Sequence, residues 1–133
     1  MSHLIDTDWV IDFLKGEREA EALFQRLLTG GIAISIITYL EVMEGIRRGR
    51  DPKPQALGFR RMLKRSAVNG ISRSVAEQAA DIRIALRGAQ RSIDIRGYDI
   101  LIAATAIEHG LIMVTRNTRD YRDKPGLRLY DPE

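Results

Sequence analysis

The chain reads as an α/β sandwich built on a mainly parallel sheet. Three observations predict this. Short β-branched runs alternate with longer stretches of helical periodicity along the chain. Those runs are apolar on both faces, as strands covered by helices on both sides must be. No apolar run approaches the ~20 residues that a membrane-spanning helix needs, so no membrane partner is expected.

The elements follow in order. His3-Leu4-Ile5 is a brief strand that ends at Asp6. Thr7 to Leu14 and Glu17 to Leu28 are helices. Val10, Phe13 and Leu14 continue one apolar face, and Ala20, Leu23, Phe24, Leu27 and Leu28 recur at helical spacing. Gly30-Gly31 stops the second helix. Ile32 to Ile36 is a β-branched strand, and Thr38 to Arg48 a helix. The two prolines of the stretch 49–55 separate that helix from another over Gln55 to Arg65. Val68 to Ser72 is a strand, and Ser74 to Arg87 a long helix with Ala79, Ile82 and Leu86 on one face. Tyr98 to His109 is nearly all apolar, a buried helix closed by Gly110. Ile112 to Val114 is a strand, Thr118 to Tyr121 a short helical turn, and Leu127 to Tyr130 an edge strand.

The length, 133 residues, suits a single domain over 1–133, and 44% hydrophobic residues against 29% charged mark it as globular rather than disordered. Cysteine is absent, which excludes disulfides, Cys-ligated zinc and thiol catalysis. The opening MSHLIDTDWV has no basic segment ahead of an apolar one, so a cytoplasmic location is expected. The net charge of +3 hides an uneven split. Residues 1–44 carry three basic and eight acidic side chains (−5); residues 45–133 carry eighteen and ten (+8). The densest basic stretch, Arg47, Arg48, Arg50, Lys53, Arg60, Arg61, Lys64 and Arg65, is opposed only by Asp51. Such a stretch suits a polyanionic partner, although charge runs are more often solvated helix faces.

In open parallel sheets the functional crevice lies beyond the carboxyl ends of the strands. Asp6 follows the first strand, Glu41 lies in the first turn of the helix after the second, Asp99 opens the buried helix, and Asn117 and Asp120 follow the strand 112–115. Carboxylates gathered in one crevice repel one another unless a cation sits between them, and hard divalent ions prefer oxygen ligands. Helix capping is the competing explanation. Thr38 to Glu41 and Asn117 to Asp120 both spell a capping box, and Asp6 and Asp99 suit helix N-termini. Capping does not explain why Asp99 opens the most apolar helix of the chain.

These residues carry a resemblance. LIDTDWVIDFL, ISIITYLEVMEG, YDILIAATAIEHG and IMVTRNTRDY resemble, in order and spacing, the four motifs of PIN-domain ribonucleases, with Asp6, Glu41 and Asp99 in the acidic places. PGLRLY near the end also fits, and the compact length is similar to that of the VapC toxins of toxin–antitoxin pairs. The resemblance implies a five-stranded parallel sheet in a three-layer PIN-like sandwich. It implies Mg²⁺-dependent cleavage of RNA, with Mn²⁺ as a possible substitute, the metal held by Asp6, Asp99 and Glu41. It also implies a cognate antitoxin that blocks the site, and a homodimer. Two departures stand out: Asn117 occupies a place that many PIN domains fill with Asp, with Asp120 one turn later, and Arg96-Gly97 stands where a proline-containing turn is common.

Beside the metal site, Thr115 can bind a ligating carboxylate or a phosphate, and Arg116, Arg47 and Arg48 are candidate phosphate contacts. Trp9 and Tyr39 are candidates to stack on a base, with core packing as the alternative. His3 and His109 are poor candidates for a general base. Two other classes compete. A PIN-like module could bind RNA or protein without useful catalysis, the amide of Asn117 having weakened the site. A receiver-like phospho-acceptor domain would need a Lys near the end of its last strand, and Lys124, in a proline-flanked turn, is a poor match.

Overall fold

A computed structural model describes residues 2–88, 97–122, 124 and 126–131, without the side chain of residue 120. The elements run β1 (His3–Ile5), α1 (Thr7–Leu14), α2 (Arg18–Leu28), β2 (Ile32–Ser35), α3 (Ile36–Arg48), α4 (Pro52–Leu63), β3 (Ser66–Asn69), α5 (Arg73–Gly88), α6 (Gly97–Glu108), β4 (Ile112–Val114) and α7 (Thr118–Tyr121). The strands pair in parallel in the order β3-β2-β1-β4.

The pleat sorts the strand residues into two cores, because successive side chains point to opposite faces. Leu4, Ala33 and Met113 face one layer, with Val75, Ala79, Ile82 and Leu86 of α5 and Ile100, Ile102, Ala103 and Ala106 of α6. Ile5, Ile32, Ile34 and Val114 face the other, with Val10 of α1, Leu23, Phe24 and Leu27 of α2, Val42 and Ile46 of α3 and Phe59 and Met62 of α4. Burying each large aliphatic side chain contributes about 1.5–3 kcal/mol, so a one-residue slip of any strand would be heavily disfavoured. The three-layer sandwich is the expected architecture. Among the described residues no helix is long and apolar enough to cross a membrane.

Among the described residues the sheet has four strands, not five. Leu127 to Tyr130 makes a single parallel bridge, Leu129 to Met113, through Met113 N–H to Arg128 O (2.9 Å) and Tyr130 N–H to Met113 O (2.8 Å). Other boundaries also move. β2 ends at Ser35 because the Ser35 hydroxyl accepts the Thr38 N–H at 3.0 Å and caps α3, which absorbs Ile36. α4 begins at Pro52 rather than Gln55: a proline at the first helical position lacks only an N–H that has no helical partner there anyway. β3 starts at Ser66 and ends at Asn69. Gly110, at φ +64°, closes α6 as expected, with Leu111 N–H reaching back to Ala106 O at 2.8 Å.

Candidate functional site

The chain passes from β1 to β2 and β3 on one side of the sheet and reaches β4 on the other side of β1. The strand order therefore reverses at β1, and the crevice beyond the carboxyl ends of β1 and β4 is where such sheets place their sites. Asp6 stands at that point. Its N–H donates to Val114 O at 2.9 Å, which ties the ends of the two strands together. Its carboxylate accepts the Thr7 N–H at 2.8 Å on Oδ1, as the N-cap of α1, and the Thr115 hydroxyl at 2.7 Å on Oδ2. Only 5% of Asp6 is exposed. Burial pushes its carboxyl up to about 6, the charges of Asp99 and Asp8 add to the rise, and the two hydrogen bonds offset only part of it.

Glu41 projects from α3. It is not the capping-box partner its spacing suggested, since Ser35 is the cap. Instead Glu41 Oε1 accepts the Thr7 hydroxyl at 2.6 Å. Thr7 Oγ1 lies 3.0 Å from Thr38 Oγ1, which lies 3.4 Å from Ser35 Oγ. Each hydroxyl carries one proton, so with Thr7 donating to the carboxylate, Thr38 donates to Thr7 and Ser35 to Thr38. The three hydroxyls are buried, and the chain they form ends on Glu41.

Asp99 lies in the first turn of α6, and its Oδ1 accepts the hydroxyl of Tyr121 at 3.0 Å. Tyr121 is fully buried in the α5–α6 core. Its hydroxyl is held far above the usual phenol range, by burial first, then by the charges of Asp6 and Asp99, its bond to Asp99, and the charge of Glu41. All three acids thus act on one buried oxygen, which stays protonated and donates. Thr7, Thr38, Ser35 and Tyr121 are site residues that sequence reasoning missed. The TRDY stretch after β4 did hold one signal, an aromatic with a polar tip at the edge of the crevice.

The remaining candidates divide. Thr115 is bound to Asp6, and its Oγ1 also accepts the Asn117 N–H at 3.0 Å. Asn117 precedes α7 without a capping bond from its side chain, so the capping-box pattern at 117–120 is not used from that end. The side chain of Asp120 and all of Arg96 lie outside the described residues. Arg47 and Arg48 are exposed on the last turn of α3. Arg48 lies 3.9 Å from Glu44, a solvated pair worth little.

Arg116, a candidate phosphate contact, already has partners within the protein. Its guanidinium is committed to protein: 2.8 Å from Asp12, 3.6 Å from Glu19 and 3.7 Å above the Trp9 ring. It clamps the loop after β4 onto α1 and α2 and covers a face of Trp9 rather than standing free for phosphate. Removing it as Arg116→Ala is expected to cost about 1–2 kcal/mol, the sum of one cation–π contact and a partly exposed ion pair. Urea denaturation of the two proteins checks this, and equal midpoints would show that the clamp carries no stability. Tyr39 packs on Phe59 at 5.5 Å and Phe13 stacks on Phe24 at 4.3 Å, so these rings serve the core.

Among the described residues no three acids already stand close enough to grip one ion directly. A hard divalent ion does not require that, because Mg²⁺ keeps several waters and takes one or two carboxylates from protein. The donors are all oxygen, and the charges of all three act on the buried hydroxyl of Tyr121, which Asp99 contacts directly. A carboxyl as buried as Asp6, with Asp99 adding to its charge, is relieved by a cation. The residues fit such an ion.

The family model for the PIN domain matches residues 3–127. The chain belongs to the PIN domain family. Within that family it is of the VapC type. It is 32% identical over 127 residues to ribonuclease VapC19 of Mycobacterium tuberculosis, covering 94% of this chain and 96% of the relative. It is 28% identical over 131 residues to the tRNA(fMet)-specific endonuclease VapC of Salmonella typhimurium, covering 98% of both. A toxin–antitoxin complex from Klebsiella pneumoniae contains a chain that superposes with a TM-score of 0.72 at 32% identity over 95% of both chains. Membership in the PIN family removes the receiver-like alternative, and Lys124, buried with its ammonium 4.9 Å from the Tyr121 ring, belongs to the PIN core.

Proposed function

We propose that this PIN domain is a Mg²⁺-dependent endoribonuclease, the cytoplasmic toxin of a toxin–antitoxin pair. The observation that carries the reading is that Thr7 joins Asp6 and Glu41, through its N–H at 2.8 Å and its hydroxyl at 2.6 Å, at the point where the strand order reverses, with the charge of Asp99 acting on Asp6 from the start of α6. Relatives named as an RNA endonuclease and a ribonuclease support RNA as the substrate.

A bound Mg²⁺, or Mn²⁺ in its place, supplies an acidified water and neutralises charge at the scissile phosphate. Asp6 and Asp99 would hold the ion, and Glu41 would complete the set or orient its water. The protein's own part is positional. Thr115 and the Thr7 N–H keep both Asp6 oxygens directed, so its lone pairs have little freedom left. The hydroxyl chain from Ser35 engages Glu41 through Oε1 and takes no part at Oε2, the oxygen that would serve the ion or its water. Neither histidine takes part: His3 sits edge-on to Tyr130, and His109 is exposed past the end of α6. Asn117 is exposed beside Thr115 and adds no charge, with Asp120 the acid that follows it.

Arg47 and Arg48 lie six and seven residues beyond Glu41 on the same helix, about 9–10 Å along its axis. That is within reach of RNA phosphates flanking the cut. The antitoxin has a suitable seat: a groove of about 500 Å³ between α1, α2 and α4, floored by Phe13, Phe24, Leu28 and Met62, with Arg61, Lys64 and Arg65 at its rim. It suits an amphipathic segment carrying acids. Pairing of two such chains into a homodimer belongs to the same reading.

The test is cleavage of cellular RNA by the purified protein, with 5′ ends sequenced, in Mg²⁺ and in excess chelator. Cleavage at defined positions that chelation removes is the expected result. RNA left intact in Mg²⁺ and in Mn²⁺, while the protein still binds it, would favour the binding-only alternative. In the same assay Arg47→Ala with Arg48→Ala is expected to weaken RNA binding. Its salt dependence should flatten by roughly 0.7 in logarithmic slope for each phosphate that an arginine no longer neutralises.

A further inference from the structure

Three acids in this crevice are each held by a hydroxyl: Glu41 by Thr7, Asp6 by Thr115, Asp99 by Tyr121. The three are not equally secured. Asp6 has a second donor in the Thr7 N–H, and Glu41 leaves a helix that Ser35 caps. Asp99 has one. It lies at the third residue of α6, and among the described residues its only side-chain hydrogen bond is to Tyr121. A carboxylate on the first turn of a helix can occupy several rotamers, so its direction depends on that bond.

Tyr121 is suited to hold it. The ring is fully buried among the residues of the α5–α6 core, with the Lys124 ammonium at 4.9 Å from its centre. A buried ring has little freedom, and its hydroxyl sits where the ring puts it. Phenylalanine would fill the same volume without bringing a polar atom into the core. A buried hydroxyl is costly unless it is paired, and here the pairing is to an acid of the site. The contact joins α7 to α6 across 22 residues of sequence.

We propose that Tyr121 is a positioning residue: by donating to Asp99 Oδ1 it fixes that carboxylate, leaving Oδ2 as the oxygen that would take a divalent cation. This rests on the reading of Asp6, Glu41 and Asp99 as the cation's holders. Partners that orient ligating carboxylates typically account for 10–100-fold in metal affinity.

The experiment is calorimetric titration of the full chain with Mn²⁺, as wild type, Tyr121→Phe and Thr105→Val. Thr105 is the control, because it is buried on the same helix as Asp99 but its hydroxyl donates to Leu101 O and not to an acid. Tyr121→Phe is expected to weaken Mn²⁺ binding roughly 10–100-fold, and Thr105→Val to leave it unchanged. Wild-type affinity in Tyr121→Phe overturns the proposal, and so does an equal loss in both variants, which would make the effect one of general core loosening. A wild type that binds no Mn²⁺ overturns the reading of the acids and the proposal with it, an outcome distinct from the other two. If Tyr121→Phe does not fold, the wild type labelled with ¹³C at tyrosine Cζ decides: the Tyr121 signal is expected to move as Mg²⁺ is added, and a signal that stays fixed at saturation counts against the proposal.

Discussion

Asp99→Asn is expected to lower Mg²⁺-dependent RNA cleavage by roughly three orders of magnitude, the scale of losing one preorganised electrostatic group from an active site. The substitution keeps the shape of the side chain and its bond to Tyr121, since an amide oxygen accepts the same hydroxyl. It removes one negative charge from a set of three. The Coulombic hold on a divalent ion falls, while the apolar body of α6, with Ile100, Ile102, Ala103 and Ala106 buried, remains in place. Asp6→Asn is expected to act in the same direction. Circular dichroism separates loss of chemistry from loss of fold, and either variant cleaving at the wild-type rate would remove that acid from the mechanism.

The second large effect has the opposite sign for stability. Asp6 is buried and its carboxyl is raised to about 6, against 3.8 for the free side chain. Below pH 3.8 the group is protonated in both the folded and unfolded chain, and the stability this proton confers is fully present. Between pH 3.8 and about 6 the unfolded chain gives up the proton while the folded chain keeps it, so stability falls as pH rises through that window. Above it the whole penalty applies, on the order of 3 kcal/mol. The protein freed of divalent ions is therefore expected to lose stability from about pH 4 toward 7, and Asp6→Asn to be the more stable protein at about pH 7.5, by on the order of 10 °C in melting temperature. Added Mg²⁺ is expected to stabilise the wild type and not the variant, because only an ion bound to the folded state shifts the equilibrium. Melting curves in chelator across this pH range make the comparison. A variant that melts at or below the wild type at the upper end of the range would mean that Asp6 is not held as a costly buried charge.

Both expectations concern acids at the carboxyl edge of the sheet. Asp6 was legible in the sequence because it ends a strand, and the edge of a parallel sheet is where ligands bind. Glu41 and Asp99 were legible in the same way. Their partners were not. The Thr115 hydroxyl meets Asp6 across 109 residues and the Thr7 hydroxyl meets Glu41 across 34, and nothing in a local window distinguishes these hydroxyls from a strand threonine or a helix-start threonine. Arg116 reads locally as a free cation beside the site. Its engagement by Trp9, Asp12 and Glu19 arises only when α1 and α2 fold back over the end of β4.

The division has a physical origin. Periodicity, strand ends and breaker residues are local, so the order of strands and helices, the two-faced burial of the sheet and the three acids at its edge were determined by sequence alone. Boundaries set by competition moved: Ser35 could continue a strand or cap a helix, and its bond to Thr38 N–H decided for the cap. The fifth strand is reduced to one bridge, Leu129 to Met113. Which hydroxyl holds which carboxylate, and which arginine is spent on the fold, depend on contacts between residues far apart in the chain. Those contacts exist only once the two cores have closed on the sheet, and only the tertiary structure decided them.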